Sequence, residues 1–520
     1  KNRHVIYQLM RINLTEYLQD TILKHGDRTA VIDGDRHITY CDLDKKARAV
    51  ARTITIECGC LNSPVAIYLP KGIESVYCDI AVTYSGNAYM NLDIKNPLER
   101  IGNILSLIKP RAIVTDSAHA GRISGILSSE IKLINIDGLQ YEDIPDASFF
   151  MERLSALIDT DPYCIINTSG STGTPKGVVL NHRSFIDFMS QTFDEYGFTC
   201  DDVIGSLSPL VFDIYSYELC IMMAKGATMA VIPDTYSAFP VRILELMARH
   251  KVTYIFWVPT IMVNIANMGL LDKVKLPELR LVWFAGEVFP TKQFNIWRRS
   301  LPHTGFANFY GPIEITLDCV YYNVERELAD NEPIPIGKAF RNTDILILDE
   351  ADNRITEPGR DGELCVRGTS LAMGYYNNPE KTAAAFVQNP LNRSYPETIY
   401  RTGDIVFINE RGEIVFKGRK DTLIKHMGYR IELGEIEHVI INTLKLVRNG
   451  CVVYNHQKKE IILFYESEND IAPADFRKAI GTALPKYMIP VVYTRLEELR
   501  RNTNGKIDRL YYNNLANEKN

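Results

Sequence analysis

Long apolar runs are missing from this sequence. No stretch of about 18 consecutive apolar residues occurs, which excludes a membrane-spanning helix of ordinary length. The opening KNRHVIYQLMRINL is short and interrupted by charge, so it reads neither as a secretory leader nor as an anchor, and the cytoplasm is the expected compartment. Cysteine is sparse: ten in 520 residues, none in a CxxC pair, too few for a disulfide scaffold. Cys58 and Cys60 form a CxC without a partnering His or Cys pair, so they read as ordinary thiols, and no structural zinc is expected. A basic excess is also absent. The formal charge of -6 argues against a nucleic-acid binder and against a polybasic membrane anchor, leaving small molecules or another protein as partners.

What is present is ample core material, with 46% hydrophobic and 23% charged residues over a length that suggests more than one domain. AVIDG, PVAIYLP, AIVTD, KLINI, YCIINTS, MAVIP and TYIFWVP each read as a buried strand between helical patterns, which predicts an α/β fold with mostly parallel sheets. From about Asn342 to Lys417 the strands crowd together with Gly-containing turns, predicting an antiparallel, barrel-like section. The last hundred residues read as a compact α+β unit: a helical EIEHVIINTL, strands CVVYNH and IILFYES, and a helix DFRKAIGTAL. A boundary near Asp421 divides residues 1–420 from a small domain, 421–520. The charged segment GRKDTLIKHMGYR around it is poor in core residues, as in a hinge.

The sharpest local signal is Thr168-Ser-Gly-Ser-Thr-Gly-Thr-Pro-Lys176-Gly177, set between the strands YCIINTS and GVVLNH. Its small, hydroxylated and basic residues offer many N–H and O–H donors and a cation, as a polyphosphate requires; a solvated hairpin turn is the other reading. It is not a Walker A loop, because Pro175 precedes the lysine and Gly177 follows it.

The loop resembles the signature of the adenylate-forming superfamily, which includes amino-acid adenylation domains, carrier-protein ligases, acyl-CoA synthetases and luciferases. Further blocks match in the family's order: Ile38 to Leu43, Gly86 to Asp93, Phe212-Asp213, Asn308-Phe-Tyr310-Gly-Pro-Ile-Glu314, Tyr400 to Asp404, Gly418 to Asp421, Gly428 to Glu437, Leu484 to Pro490 and Asn504 to Arg509. Together they span nearly the whole chain. The resemblance implies a large core of layered α/β sheets, a small barrel-like section and a mobile α+β lid.

It also implies site residues. Thr168, Ser169, Ser171, Thr172, Thr174 and Lys176 would contact ATP. Tyr310 would stack on adenine, bordered by Gly286, Glu287, Asn308, Phe309 and Gly311. Each has a plainer reading: core or turn packing for the aromatic, a strand cap for Gly286 and Glu287. Glu314 would ligate magnesium, the alternative being a surface glutamate. Asp404 would accept from both ribose hydroxyls, because a carboxylate fits a vicinal diol, with Arg419 as a second ribose or phosphate contact. Lys506, otherwise a solvated charge, would stabilise the charge that develops as a carboxylate displaces pyrophosphate, so Lys506, Thr168 and Glu314 form the expected catalytic set. Rotation about Asp421 would then withdraw Lys506 and present another face for thiol attack. One departure is Ile313, where the family usually has a threonine whose hydroxyl meets the α-phosphate. Thr168 or its neighbours must compensate, or turnover is slower.

Asp213 falls where amino-acid activators place an aspartate that pairs with the substrate ammonium; an acyl substrate would leave a buried carboxylate unpaired. A solvated loop aspartate is the alternative. The remaining pocket positions carry over as Ile214, Tyr217, Phe256, Trp283, Ala285, Phe309, Leu317 and Asp318. Several rings around one cavity leave room for a tiny side chain, so glycine is expected first, then alanine, then serine. Asp318 has a second role open to it, holding a hydroxyl or second amine, and the rings a second place, in the core outside the pocket. No condensation-type region precedes this chain and no phosphopantetheine attachment segment follows Lys506, so the expected layout is a freestanding ligase using ATP and Mg2+ to charge a separate phosphopantetheine carrier protein. The rival expectations are an acyl- or aryl-CoA synthetase and a nucleotide-binding homologue with weak turnover.

Overall fold

The computed structural model describes residues 11–141, 144–146, 148–168, 175–420, 423–467, 470–501 and 507–518. Two large sheets organise the first three hundred residues. The seven-stranded sheet runs in the order Gly374–Tyr375, Lys176–Asn181, Pro162–Thr168, Ala88–Asn91, Pro64–Tyr68, Ala112–Thr115, Lys132–Asn135. The nine-stranded sheet runs from Lys338–Ala339 through Val320–Asn323, Gly305–Tyr310, Leu281–Phe284, Tyr254–Trp257, Val203–Ser206 and Thr228–Val231 to Thr29–Asp33 and Arg36–Thr39. Their central strands pair in parallel; antiparallel strands finish every margin except that of Lys132–Asn135, which pairs in parallel. All seven runs read as strands are strands. One correction concerns Lys132–Asn135, expected to be buried: it ends its sheet, so Lys132 and Leu133 are exposed and only Ile134 is fully covered.

The largest core lies between the sheets, where strands of both contribute to one cluster with the helices Ile73–Tyr84 and Asp213–Lys225. Both helices are apolar nearly all round, as a helix enclosed on every side must be. Helix Asp213–Lys225 stops at Gly226, whose φ of 74° is the left-handed turn that glycine allows at a helix end. Residues 343–419 form the expected antiparallel sheet, with Thr343–Leu348, Gly362–Gly368, Thr398–Ile408 and Phe386–Gln388 in order and Ile414–Arg419 alongside.

Beyond residue 422 a hairpin, Leu423–His426 with Tyr429–Glu432, precedes a three-stranded sheet of Asn449–Asn455, Glu460–Glu466 and Val492–Leu496. This part has a core of its own around Ile431, Ile436, Leu463 and Phe476. The helical EIEHVIINTL is an α-helix only over Leu433–His438 and continues as a π-turn, Val439–Thr443. No helix among the described residues is long and apolar enough to cross a membrane.

Candidate functional site

The C-terminal ends of parallel strands from both sheets point at one cavity of about 140 Å³. Asn91 to Asp93 and Ile166 to Thr168 reach it from the seven-stranded sheet; Val258, Ala285, Gly286 and Gly311 reach it from the nine-stranded one. Chain leaving the carboxyl ends of parallel strands is free to line a crevice, the usual place for a ligand in such sheets. The hairpin closes it with Lys425, Gly428, Tyr429 and Arg430, helped by Tyr487, whose ring stacks on Tyr429 at 3.6 Å.

Asp213 opens the buried helix and lines this cavity. The Leu317 amide donates to its Oδ2 (3.2 Å) and the Ile214 amide to its Oδ1 (3.0 Å). Burial pushes its carboxyl up to about 6, against the pull of those amides. Asp318 shares the cavity. Burial, and then the neighbouring Asp213 carboxylate, hold it well above the ordinary carboxylate range, with Lys425 acting in the opposite direction. Ile214, Ala285 and Leu317 complete the apolar wall. Thr316 and Leu317 both have left-handed backbones, with φ of 46° and 64°. Nearby, a Cβ added at Gly311 would collide with the Leu317 carbonyl, so only glycine lets the two segments touch.

Tyr217, Phe256, Trp283 and Phe309 are all essentially buried and packed on one another, with Trp283 stacked on Phe309 at 4.2 Å and on Tyr217 at 5.8 Å. None of the four lines the cavity. They lie in the core outside it, in the same buried cluster as the lining residues Ile214, Ala285 and Leu317. The Trp283 indole N–H is buried with no hydrogen-bond partner.

Thr168 lines the cavity with a buried hydroxyl that has no partner, next to Asn167, whose amide is likewise unpartnered; Ile313 lines it too. Ser169, Ser171, Thr172, Thr174, Asp421 and Lys506 lie outside the described residues. Tyr310, Glu314 and Asp404 stand beside the cavity without lining it. The Tyr310 hydroxyl donates to Asp404, which also receives Arg419, and the Lys425 ammonium lies 5.8 Å from the Tyr310 ring centre. Burial lowers Lys425 from the usual lysine range, while Asp404 and Asp318 act to keep it charged. Asn308 instead clamps backbone, donating to the Pro335 carbonyl at 2.8 Å. Gly286 lines the cavity, but the Glu287 carboxylate turns away, accepting from the amides of Thr260 (3.0 Å) and Gly428 (2.9 Å), and so ties helix Pro259–Asn267 to the hairpin.

Glu314 is fully buried rather than a surface carboxylate. Tyr375 donates to its Oε1 at 2.7 Å and Arg430 forms an ion pair with its Oε2. Burial alone would raise this carboxyl; Arg430, then Lys176 and the Tyr375 hydroxyl outweigh it and hold it below the usual range. Lys176 donates to Glu432 at 2.7 Å. The sequence reading missed Lys425, Arg430 and Glu432. Arg430 and Glu432 fell inside the matched block Gly428 to Glu437 but were given no role, and the charge of GRKDTLIKHMGYRIE suggests solvent.

A carboxylate donor for magnesium is present. Mg2+ takes one or two carboxylates and fills its octahedron with phosphate oxygens and water, so Glu314 fits it without further protein ligands. Among the described residues no cluster of three or more His, Cys, Asp or Glu offers a cage.

Comparison with known proteins bears on the fold and the family. Residues 18–376 match the family described as AMP-binding enzyme. The chain is 30% identical to zwittermicin A synthase ZmaJ of Bacillus cereus, over 97% of this chain and 95% of that protein. It is 30% identical to an L-proline–[L-prolyl-carrier protein] ligase of Streptomyces coelicolor, over 94% of each. The fold matches that of the Vibrio cholerae adenylation domain AlmE, solved with glycyl-adenosine-5'-phosphate, at a TM-score of 0.83 and 22% identity, over 97% of this chain and 98% of that one.

Proposed function

Starting from a chain that belongs to the AMP-binding enzyme family, an adenylate-forming ligase, we propose that it activates a small amino acid with ATP and Mg2+ and passes it to the phosphopantetheine thiol of a separate carrier protein. An oxygen of the substrate carboxylate attacks the α-phosphorus, the bond to the β-phosphate breaks, and pyrophosphate leaves. The thiol, losing its proton, then attacks the acyl carbon, the bond to AMP breaks, and a thioester forms.

The observation that carries this reading is Asp213: an enclosed carboxylate, held by two backbone amides, facing a small cavity whose wall residues Ile214, Ala285 and Leu317 belong to a core of packed rings. A carboxylate so placed suits an ammonium, and a cavity of about 140 Å³ against a close-packed core leaves space for little beyond Cα. Glycine is the first choice, then alanine, then serine, a choice in keeping with the glycyl-adenylate bound by a protein of the same fold. The carrier partner is in keeping with the carrier-protein ligase among the relatives. Glu314 would hold the magnesium, which supplies positive charge at the phosphates, and Lys176 and the Thr168 loop would hold the phosphates themselves. Tyr310, Asp404 and Arg419 would take the nucleoside once Lys425 withdraws. The boundary at Asp421 accords with the separate core beyond it.

Pyrophosphate exchange with glycine, alanine, serine and a fatty acid tests the substrate class. Exchange with an amino acid is expected; exchange with the fatty acid alone would overturn the proposal.

Two further outcomes follow from the cavity. In the free enzyme the Asp213 carboxyl is ionised above about pH 6 and neutral below it. The neutral form has no charge to offer an ammonium, so kcat/KM for the amino acid should fall about tenfold per pH unit below 6. The KM for ATP should not follow the same titration. Second, Thr168→Val should lower exchange by about 100-fold if this hydroxyl stands in for the threonine that Ile313 replaces, as removal of one donor at a developing charge does. Adding Ile313→Thr to that variant should recover most of the loss, which a purely structural defect would not allow.

A further inference from the structure

Three carboxamides line the cavity from the seven-stranded sheet: Asn91 at the end of Ala88–Asn91, Asn96 in the loop that follows, and Asn167 in the neighbouring strand Pro162–Thr168. Asn91 and Asn96 are buried, and the Oδ1 of each has no hydrogen-bond partner among the described residues; Asn167 lacks one at both Oδ1 and Nδ2. A buried polar atom left unpaired is costly, so four on one wall point to a ligand that supplies the missing bonds. Asp79 decides how Asn91 is turned. This residue of helix Ile73–Tyr84 is 1% exposed. Asn91 Nδ2 donates to its Oδ1 at 3.0 Å, and the Tyr215 hydroxyl donates to its Oδ2 at 2.7 Å. A carboxamide turned the other way would set oxygen against oxygen, so the acceptor of Asn91 is the end left for a ligand. Burial pushes the Asp79 carboxyl up to about 8, and a proton taken up there has the Tyr215 oxygen to bond, so Oδ1 accepts in either form. Tyr215 lies two residues beyond Asp213 on one helix, which fixes Asn91 relative to the carboxylate proposed for the ammonium.

We infer that Asp79 is a positioning residue for thiol transfer: it holds the Asn91 carbonyl ready to accept from an amide N–H of the incoming phosphopantetheine arm, and so makes the second half-reaction select an amide-bearing thiol. The inference rests on the carrier-thiol acceptor proposed above. Neither glycine nor ATP contains an amide bond, whereas the arm carries peptide-like amides, each with an N–H to give and a carbonyl to receive. Asn91 and Asn96 offer the free acceptors, and Asn167 offers both an acceptor and a donor. The ammonium, by contrast, has Asp213 in the same cavity, and a carboxylate is a stronger partner for a cation than a neutral carbonyl is.

The probes are a pair of small thiols, N-acetylcysteamine and its ester counterpart 2-mercaptoethyl acetate, in which an oxygen replaces the N–H. Transfer of the activated amino acid to each is followed on the full chain. The parent should favour the amide about tenfold in kcat/KM, the cost of leaving a buried acceptor unpaired. Asn91→Leu should abolish that preference. Asp79→Leu should abolish it too, although the residue lies behind Asn91, and adding it to Asn91→Leu should move the ratio no further. Asp79→Asn, whose oxygen can still accept from Asn91 while its amide donates to Tyr215, should keep the preference. Each ratio compares two thiols on one protein, so a smaller folded fraction leaves it unchanged. A parent without the preference, or a preference that survives in Asn91→Leu, would overturn the inference. A loss confined to the KM of the amino acid in pyrophosphate exchange would assign Asn91 to the ammonium and overturn it as well. If the parent exchanges pyrophosphate but charges neither these thiols nor pantetheine, the carrier-thiol reading fails, and the inference with it.

Discussion

Replacing Lys506 with alanine should reduce amino-acid-dependent pyrophosphate exchange by about a thousandfold, while thiol transfer from a supplied aminoacyl-adenylate stays within a few-fold of the parent. The first half rests on transition-state charge. As the carboxylate attacks phosphorus, negative charge gathers on the α-phosphate oxygens and the departing pyrophosphate, and a cation fixed there in a water-poor site is worth several kcal/mol. The second half rests on geometry. Arg501 and Ile507, the described residues flanking this segment, pair with each other and do not line the cavity, which the hairpin occupies instead. On the role proposed for Lys506, the small domain would turn to bring it to the phosphates and turn back for the thiol, so a lysine used on one face would be dispensable on the other. Equal exchange in variant and parent would refute the assignment, and equal loss in both half-reactions would point to misfolding.

The second large effect is expected at Asp213. Asn keeps the shape and an oxygen to accept from the Leu317 amide, so the fold should survive, but the charge that meets an ammonium is gone. Truncating one partner of a buried charge pair costs about 2–5 kcal/mol, which predicts a loss of roughly 30- to 5,000-fold in kcat/KM for the amino acid with little change in ATP binding. Selectivity should collapse as well: the variant should no longer prefer glycine over acetate, because the amine has lost its counter-charge. A variant that still discriminates would show that the ammonium is held elsewhere, with Asp318 the next residue to change.

Much of this architecture was legible in the residues. The strands were found because a parallel sheet covered on both faces demands continuous β-branched runs, and AVIDG or TYIFWVP can satisfy little else. Lys132–Asn135 misled because its apolar residues resemble those of the central strands, and only strand order reveals a margin. The hydroxyl-rich segment after Thr168 and the FYGP and YRTG segments stood out because their chemistry is local. Arg430 and Lys425 did not. Their burial arises where two separately folded parts meet, and a charge in a turn-rich segment reads as solvated until its partner, more than a hundred residues away for Arg430, is brought to it. The rings show the same limit. Sequence named Tyr217, Phe256, Trp283 and Phe309 together as pocket residues, but only packing shows that they belong to the core rather than to the cavity wall.

The left-handed pair Thr316 and Leu317 has a consequence for how selection is made. Each side-chain-bearing residue held there costs about 1–3 kcal/mol, an expense the chain carries whether or not anything is bound. On the proposed reading, nothing about an arriving amino acid would have to organise this corner; its shape is set in advance, and discrimination would become refusal of what does not fit rather than accommodation of what does. A lineage seeking a broader diet would be expected to soften these two residues first, and to gain stability as it lost fidelity.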